Sequence, residues 1–578
     1  MIKEKVRWFI SSEGIKEAIV LLLISVLIWI TGNKLYGNKV TPILILLAII
    51  GYKFLKLSID IDKNLSLKCW MISSILAFFE VYGETIRPYI YQNVHLGILE
   101  ILKIVILSML LAIMIAPILF YLATHIQINN EVEKFDKTYL IINWILIIMI
   151  YGIGWIGFYP GMIAYSTELD QNIEMSNSLL YTIILKGIGL IANDTRSTMV
   201  IFNIIQIGIV TFSMVLGVSY LKELKVSKLV RVIVLDYYML LPAYILMSIC
   251  ITKYAILGSI GLINIILVSE MIRTRKISYT KLMSIGLIGS LIGTNYLYML
   301  LITSLIVIKL EKGKYIKKLL LSIGLISIVT FGLNGIANID NEILDKMIDI
   351  PCQQIARTCR YNKVPNLEKY KTLDSVLPLY YSSDYNVLSI ESIKNKADKG
   401  KLADNKLKFI KEYMSLGLKY PSEYFEAYFL KNIGIWYSNE KTTYNIDLLD
   451  LYYYTVSEDD IVRKVINSYY SIFDLENVYE HAGVFKKLFY IGSYTWVTIL
   501  CLIGMIFKNK KEYLVLPIML LSYMLAISFD ASVNIHNTFI VMMCTPYLVC
   551  LTLSGLKDKG TENEVEDVIK NKEKEEKG

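Results

Sequence analysis

Five stretches of this chain, Ala18–Trp29, Leu99–Leu119, Tyr139–Ile156, Val200–Val218 and Leu319–Phe331, are predominantly apolar. With their flanks they approach the roughly 20 residues that carry a helix across a bilayer. A soluble fold has no place for so many. None of them alternates as a lipid-facing barrel strand does, so their backbone polar groups must be satisfied within helices. The expected fold class is an α-helical polytopic membrane protein. The chain is 55% hydrophobic and 19% charged over 578 residues, which leaves one sizeable polar region for a domain outside the bilayer.

The start, MIKEKVRWFISSEGIKE, is basic like a signal peptide, but its apolar segment has no small-residue cleavage site and reads as a retained first span. The net charge of +8 is spread over short loops between spans, which is the orientation signal of a membrane protein and not a nucleic-acid patch. Seven cysteines lie mostly in apolar runs. Cys352 and Cys359 are in a polar region, and on one helix they stand about 10 Å apart, too far for a disulfide. No P-loop, Gly-rich nucleotide motif, Ser-His-Asp set or metal-ligand spacing occurs, which disfavours a nucleotide-sugar enzyme or an ATP-driven pump.

Lys3–Lys16, Lys53–Lys68, Lys222–Arg231, Arg273–Lys281, Lys309–Lys318 and Lys508–Lys511 carry the basic residues, and all belong on the cytoplasmic side. Spans near 17–36, 41–57, 69–83, 99–122 and 138–158 then place Tyr159 outside. Leu179–Ala192 must not cross, or every later basic loop would be inverted. It is also short for a span, and reads as an interfacial or re-entrant helix. Spans follow near 198–220, 230–248, 254–271 and 319–335, with three more near 487–507, 512–530 and 538–556. Leu282–Ile308 reads as two half-depth helices meeting at Gly293-Thr294-Asn295-Tyr296. The expected organisation is a first group of four spans (1–137), a membrane core (138–336) with an outer loop (159–198), one mainly helical extracytoplasmic domain (337–486), three closing spans (487–556) and a charged disordered tail (557–578). Both termini then lie in the cytoplasm of a multi-pass cell-membrane protein. Within the outer domain, Glu342–Arg360, Lys406–Leu418 and Pro421–Asn432 favour helix, with Pro421 in a first turn.

Carboxylates suited to chemistry gather where the fifth span ends, in GFYPGMIAYSTELDQ, Gly157 to Gln171. Glu168 and Asp170 are the candidate catalytic pair, and as solvated loop acids they also have a plain reading. Arg196, with Asp194 after the interfacial helix, suits a helix-end turn or a phosphate or headgroup contact, and Lys253 is a lone cation at an outer turn, suited to a phosphate or to an interface anchor. Gln353, Gln354 and Arg357 share a helix face that suits either a sugar or docking of the outer domain. Trp436 suits sugar stacking or an interface belt.

The quoted stretch, followed by SLLYTIILKGIGLIAND and STMVIFNIIQIGIV, and later by DIPCQQIAR and LKYPSEYFEAYFLKNIGIWYS, resembles an uncharacterised family of bacterial multi-spanning proteins of GT-C type. These are glycosyltransferases that use polyprenyl-phosphate sugars. The resemblance implies a GT-C-like fold, a lipid-linked sugar as donor and room for a divalent metal. It also implies membrane lipid, polyprenyl-phosphate sugar and other glycan-assembly membrane proteins as partners, with no nucleic acid. The family pattern places an aspartate directly after Pro-Gly-x-x-x-Tyr, and Ser166 stands there, so Glu168 and Asp170 are displaced by two and four positions. Three functions follow: a membrane glycosyltransferase or degenerate relative acting on cell-surface glycan or protein; a non-catalytic subunit or lipid-linked-sugar binder in glycan assembly; and a flippase or transporter.

Overall fold

A computed structural model describes residues 25–26, 41–90, 97–124, 135–164, 179–192, 194–310, 316–336, 340–362, 367–378, 385–440, 451–453, 488, 490–530 and 532–554. The chain divides into two compact units, Met1–Ile126 and Gln127–Gly578.

The first unit holds α1 (Thr41–Ile61), α2 (Lys63–Ile86) and α3 (Ile98–Thr124). Asp62 starts α2 by accepting from Leu65 N at 3.0 Å, the usual remedy for orphaned first-turn amides. The buried hydroxyls of Ser58 and Ser66 hydrogen-bond each other at 2.8 Å across the α1–α2 corner.

The second unit begins with α4 (Lys137–Gly157), β1 (Met162–Ala164), α5 (Leu179–Ala192) and α6 (Thr195–Tyr220). Then come α7 (Lys228–Leu240), α8 (Pro242–Ile249), β2 (Cys250–Ile251) and α9 (Lys253–Thr274). α10 (Tyr279–Ile292), α11 (Tyr296–Leu310) and α12 (Ile316–Ile336) follow. A polar domain contributes α13 (Asp340–Tyr361), α14 (Lys406–Lys419), α15 (Pro421–Lys431) and β3 (Leu451–Tyr453). α16 (Ile491–Phe507), α17 (Val515–Ile527) and α18 (Ile535–Leu553) close the described chain.

The chain is an α-helical membrane protein by its helices: among the described residues six are long and apolar enough to cross a bilayer (α2, α3, α4, α6, α9 and α18), and α7 with α8 makes a seventh if that bent pair is one span. The pair bends by 52° at Pro242, whose missing N–H and ring interrupt the helix there. α9 and α18 form the centre of the unit. They approach closely because α9 offers glycine: a methyl group on Gly261 would fall 2.4 Å from Ile540. Such small-residue contacts let apolar helices gain dispersion where burial from water adds nothing.

Helix ends fall on two faces. One carries Pro160, the start of α9 and the start of α18. At the other, Lys510 Nζ donates to Leu551 O, Thr552 O and Ser554 O at 2.6, 3.1 and 2.7 Å, closing the carbonyl end of α18. Arg273 pairs there with Glu223, and Arg275 with Glu512 at 2.6 Å. We call these the Pro160 end and the Lys510 end.

The expected half-depth pair is corrected in one respect. α10 and α11 do reverse at Gly293-Thr294-Asn295, but the tip reaches the Pro160 end. A methyl on Gly293 would meet Leu257 in α9 at 2.9 Å, and Asn295 Nδ2 donates to Asp530 Oδ2 just beyond α17 at 2.8 Å. The hairpin therefore runs the length of its neighbours instead of stopping midway. Because it still returns to its starting end, the alternation of later helices is unchanged. The expected interfacial segment forms α5, shorter than the helices long enough to cross, with Tyr181 packed edge-on against Phe202 in the second turn of α6, ring centroids 5.7 Å apart.

In the polar domain, Ile348, Cys352, Ile355 and Ala356 recur on one face of α13 and pack in a core with Leu373, Phe409 and Leu416. This is the helical period expected of a half-buried helix. Pro421 opens α15 in its first turn, as expected.

Candidate functional site

The turn that opens the first loop is held from inside the membrane core. Tyr159-Pro160 is cis, and Gly161 has φ of 144°, a conformation that L side chains avoid. A methyl on Gly161 would also collide with Asn203 Nδ2 at 1.9 Å. That amide donates to Pro160 O at 3.0 Å, and Trp155 Nε1 donates to the same oxygen at 2.9 Å. One turn along α6 from Asn203, Gln206 Nε2 donates to Ser248 O at 2.9 Å and Cys250 O at 2.6 Å, fixing β2. In hydrocarbon such irregular backbone persists only where protein groups satisfy it.

Two fixed segments thus meet as a sheet. β1 pairs in parallel with β2, Met162 opposite Cys250 and Ile163 opposite Ile251. On its other edge β1 pairs antiparallel with β3 of the polar domain, Ile163 opposite Tyr452. β1 leads into the first loop and β2 into Lys253, so the two segments leave the sheet from neighbouring strands in the same direction.

Arg196 is exposed in the first turn of α6, its guanidinium 5.1 Å from the centre of the Tyr159 ring. Lys253 is half-buried at the start of α9, its ammonium 5.5 Å from the Tyr254 ring. The structure therefore brings Arg196 to the Pro160 turn and Lys253 to the adjoining strand. Glu168 and Asp170, the candidate catalytic carboxylates, lie outside the described residues, four and six positions past the end of β1. Among the described residues no group of three or more His, Cys, Asp or Glu is placed to hold a metal ion.

The remaining candidates are spent inside the polar domain. Gln353 Nε2 donates to Val387 O at 2.7 Å and Asn386 O at 3.2 Å. Gln354 donates to Tyr424 O at 2.9 Å and accepts from the Tyr413 hydroxyl. Arg357, 1% exposed, meets Glu423 at 3.2 Å and pairs with Glu426. Burial and these partners make the three residues internal bracing, a correction to the expectation that they meet sugar or lipid phosphate. Trp436 has one face on Phe429, centroids 4.4 Å apart, donates to Phe429 O at 2.9 Å, and its carbonyl accepts from Trp496 in α16 at 2.8 Å. It ties the polar domain to the bundle.

A second polar junction joins the same elements. Lys431 Nζ donates to Ser528 O at 2.9 Å and to Asp530 O. Asn432 also donates to Ser528 O, at 3.1 Å. Asp530 in turn accepts from Asn295 at the hairpin tip. Burial pulls the Lys431 amine down from its ordinary 10.5 to about 8, against the opposing pull of Asp530 and Asp349. Between about pH 8 and 10.5 the unfolded chain holds a proton that the folded one has released. Stability therefore rises with pH across that window, and below it the cost of the buried charge is fully present. The melting temperature of purified protein is expected to climb by several degrees more between pH 7 and pH 10 than that of Lys431→Met. Parallel pH curves for the two would remove Lys431 as the cause.

Sequence reasoning named Asn295 but missed Asn203, Gln206, Lys431 and Asp530. For the first two a signal existed: polar residues three apart in the otherwise apolar run IFNIIQIGIV share one helix face. No family model, curated protein or solved structure matches this chain.

Proposed function

We propose that the chain is a GT-C-like integral membrane glycosyltransferase, or a relative that has lost turnover, acting at the Pro160 end on a lipid-linked sugar. The observation that carries this reading is the three-stranded sheet. It ties the start of the carboxylate-bearing loop, the approach to Lys253 and the polar domain into one assembly. Lys222, Arg273, Arg275 and Lys510 lie at the other end, and basic ends face the cytoplasm. The Pro160 end would then be extracytoplasmic, in a multi-pass cell-membrane protein with cytoplasmic termini.

In the reaction, Glu168 or Asp170 takes the proton of an acceptor hydroxyl as its oxygen bonds the anomeric carbon. The bond from that carbon to the phosphate oxygen breaks, and the polyprenyl phosphate leaves with the bonding electrons. Lys253 and Arg196 meet the phosphate charge. Glu168→Gln and Asp170→Asn, made singly and together in cells, are expected to abolish the surface-glycan product. A full product level in the double variant would sink the catalytic reading.

A non-catalytic lipid-linked-sugar binder is the second reading. Ser166 at the family's aspartate position and the engagement of Asp530 by Asn295 favour it. It predicts that purified protein binds polyprenyl phosphate without turnover, that Lys253→Ala weakens this binding, and that the double carboxylate variant leaves it intact.

A further inference from the structure

At the Lys510 end, far from the Pro160 turn, α6, α9 and α10 line an open groove of about 440 Å³, within the range of small-ligand sites. Its lining is graded along the membrane axis. Leu216, Ile263 and Ile285 line it a turn or more inside the helix ends. Tyr220, Glu270 and Lys281 line it at or within about a turn of those ends. An apolar slot with a polar mouth at a helix-end level matches one amphiphile: a lipid with its chain inward and its headgroup at the rim.

The charges at the mouth select among headgroups. Glu270 accepts from the Tyr220 hydroxyl at 3.4 Å, a long bond that leaves the carboxylate further acceptor capacity. The nearest cation on its own helix, Arg273, is paired with Glu223. Lys281, with the hydroxyls of Thr280 and Ser284, lines the facing wall on α10. One acid opposite one base, with hydroxyl donors beside the base, complements a zwitterion whose ammonium bears N–H groups. We propose that this groove binds a phospholipid with a primary-amine headgroup, the phosphate at Lys281 and the ammonium at Glu270. A choline headgroup offers Glu270 no N–H, and an anionic glycerol headgroup leaves the carboxylate facing unbalanced negative charge.

The test is native mass spectrometry of the purified full chain after equilibration with vesicles of phosphatidylethanolamine, phosphatidylcholine or phosphatidylglycerol with matched acyl chains. One retained phosphatidylethanolamine per chain is expected, at least fivefold above either other lipid. Ser284→Trp, which fills the slot from an exposed position, should remove the adduct. Glu270→Gln should bring phosphatidylethanolamine down to the phosphatidylcholine level. Equal retention of the three lipids, preference for phosphatidylglycerol, or an undiminished ratio in Glu270→Gln would overturn the assignment. The Glu270→Gln ratio decides the matter alone if Ser284→Trp does not purify as a folded monodisperse protein.

Discussion

Arg357→Ala is expected to destabilise the polar domain by about 3–5 kcal/mol, the cost of stranding one partner of a buried ion pair. The arginine side chain is 1% exposed, and the Glu423 carboxylate beside it lies on a side chain only 10% exposed. Without the guanidinium that charge has neither water nor a counter-ion. Glu426, 42% exposed, is hydrated whether or not it is paired and adds little to the loss. Arg357→Lys keeps the charge but not the planar fork, and cannot face Glu423, Glu426 and the Tyr361 ring, 4.9 Å from the guanidinium carbon, in one geometry. An intermediate loss is expected for it. The check is the melting temperature of purified protein together with hydrogen exchange, which should accelerate in α13 and α15 before it does in α9 and α18. A variant that keeps full protection in α13 yet loses polyprenyl-phosphate binding would return Arg357 to the role of ligand contact.

What could be read in advance follows from which interactions are local. Apolar length places each helix, because a span must satisfy its own backbone. The Gly293-Thr294-Asn295 reversal is legible as a break in an apolar run. Its depth is not, since that is set by Leu257 and Asp530, 36 and 235 positions from Gly293 and Asn295. For Gln353, Gln354 and Arg357 the common helix face could be predicted. Whether that face meets a ligand or its own domain depends on α14, α15 and the Tyr385–Val387 segment closing over it. The sheet was invisible: strands of three, two and three residues are shorter than any alternation that could announce them.

The same contrast applies to the prolines, where a break is visible in the sequence and its remedy is not. Pro242 and Pro546 have no N–H, so the carbonyls four residues earlier, on Tyr238 and Met542, lose their intrahelical donors. Tyrosine hydroxyls from other helices supply them. Tyr151 in α4 donates to Tyr238 O at 2.7 Å, and Tyr244 in α8 donates to Met542 O at 2.8 Å. Tyr238 donates to Met543 O at 2.7 Å, but that carbonyl keeps the Tyr547 amide as a second potential donor. Tyr151→Phe and Tyr244→Phe are therefore expected to cost about 1–3 kcal/mol each, the penalty of a buried acceptor left unmade, and Tyr238→Phe less. Specificity comes from a double-mutant cycle. Pro546→Ala restores an amide for Met542 O, so Tyr244→Phe in that background should cost at least about 1 kcal/mol less than in the native chain. Tyr151→Phe, which serves the other proline, should cost the same in both. Equal costs for Tyr244→Phe in the two backgrounds would mean that the tyrosine stabilises the core by ring packing against Phe539 and Tyr238, and that the freed carbonyl finds its donor elsewhere.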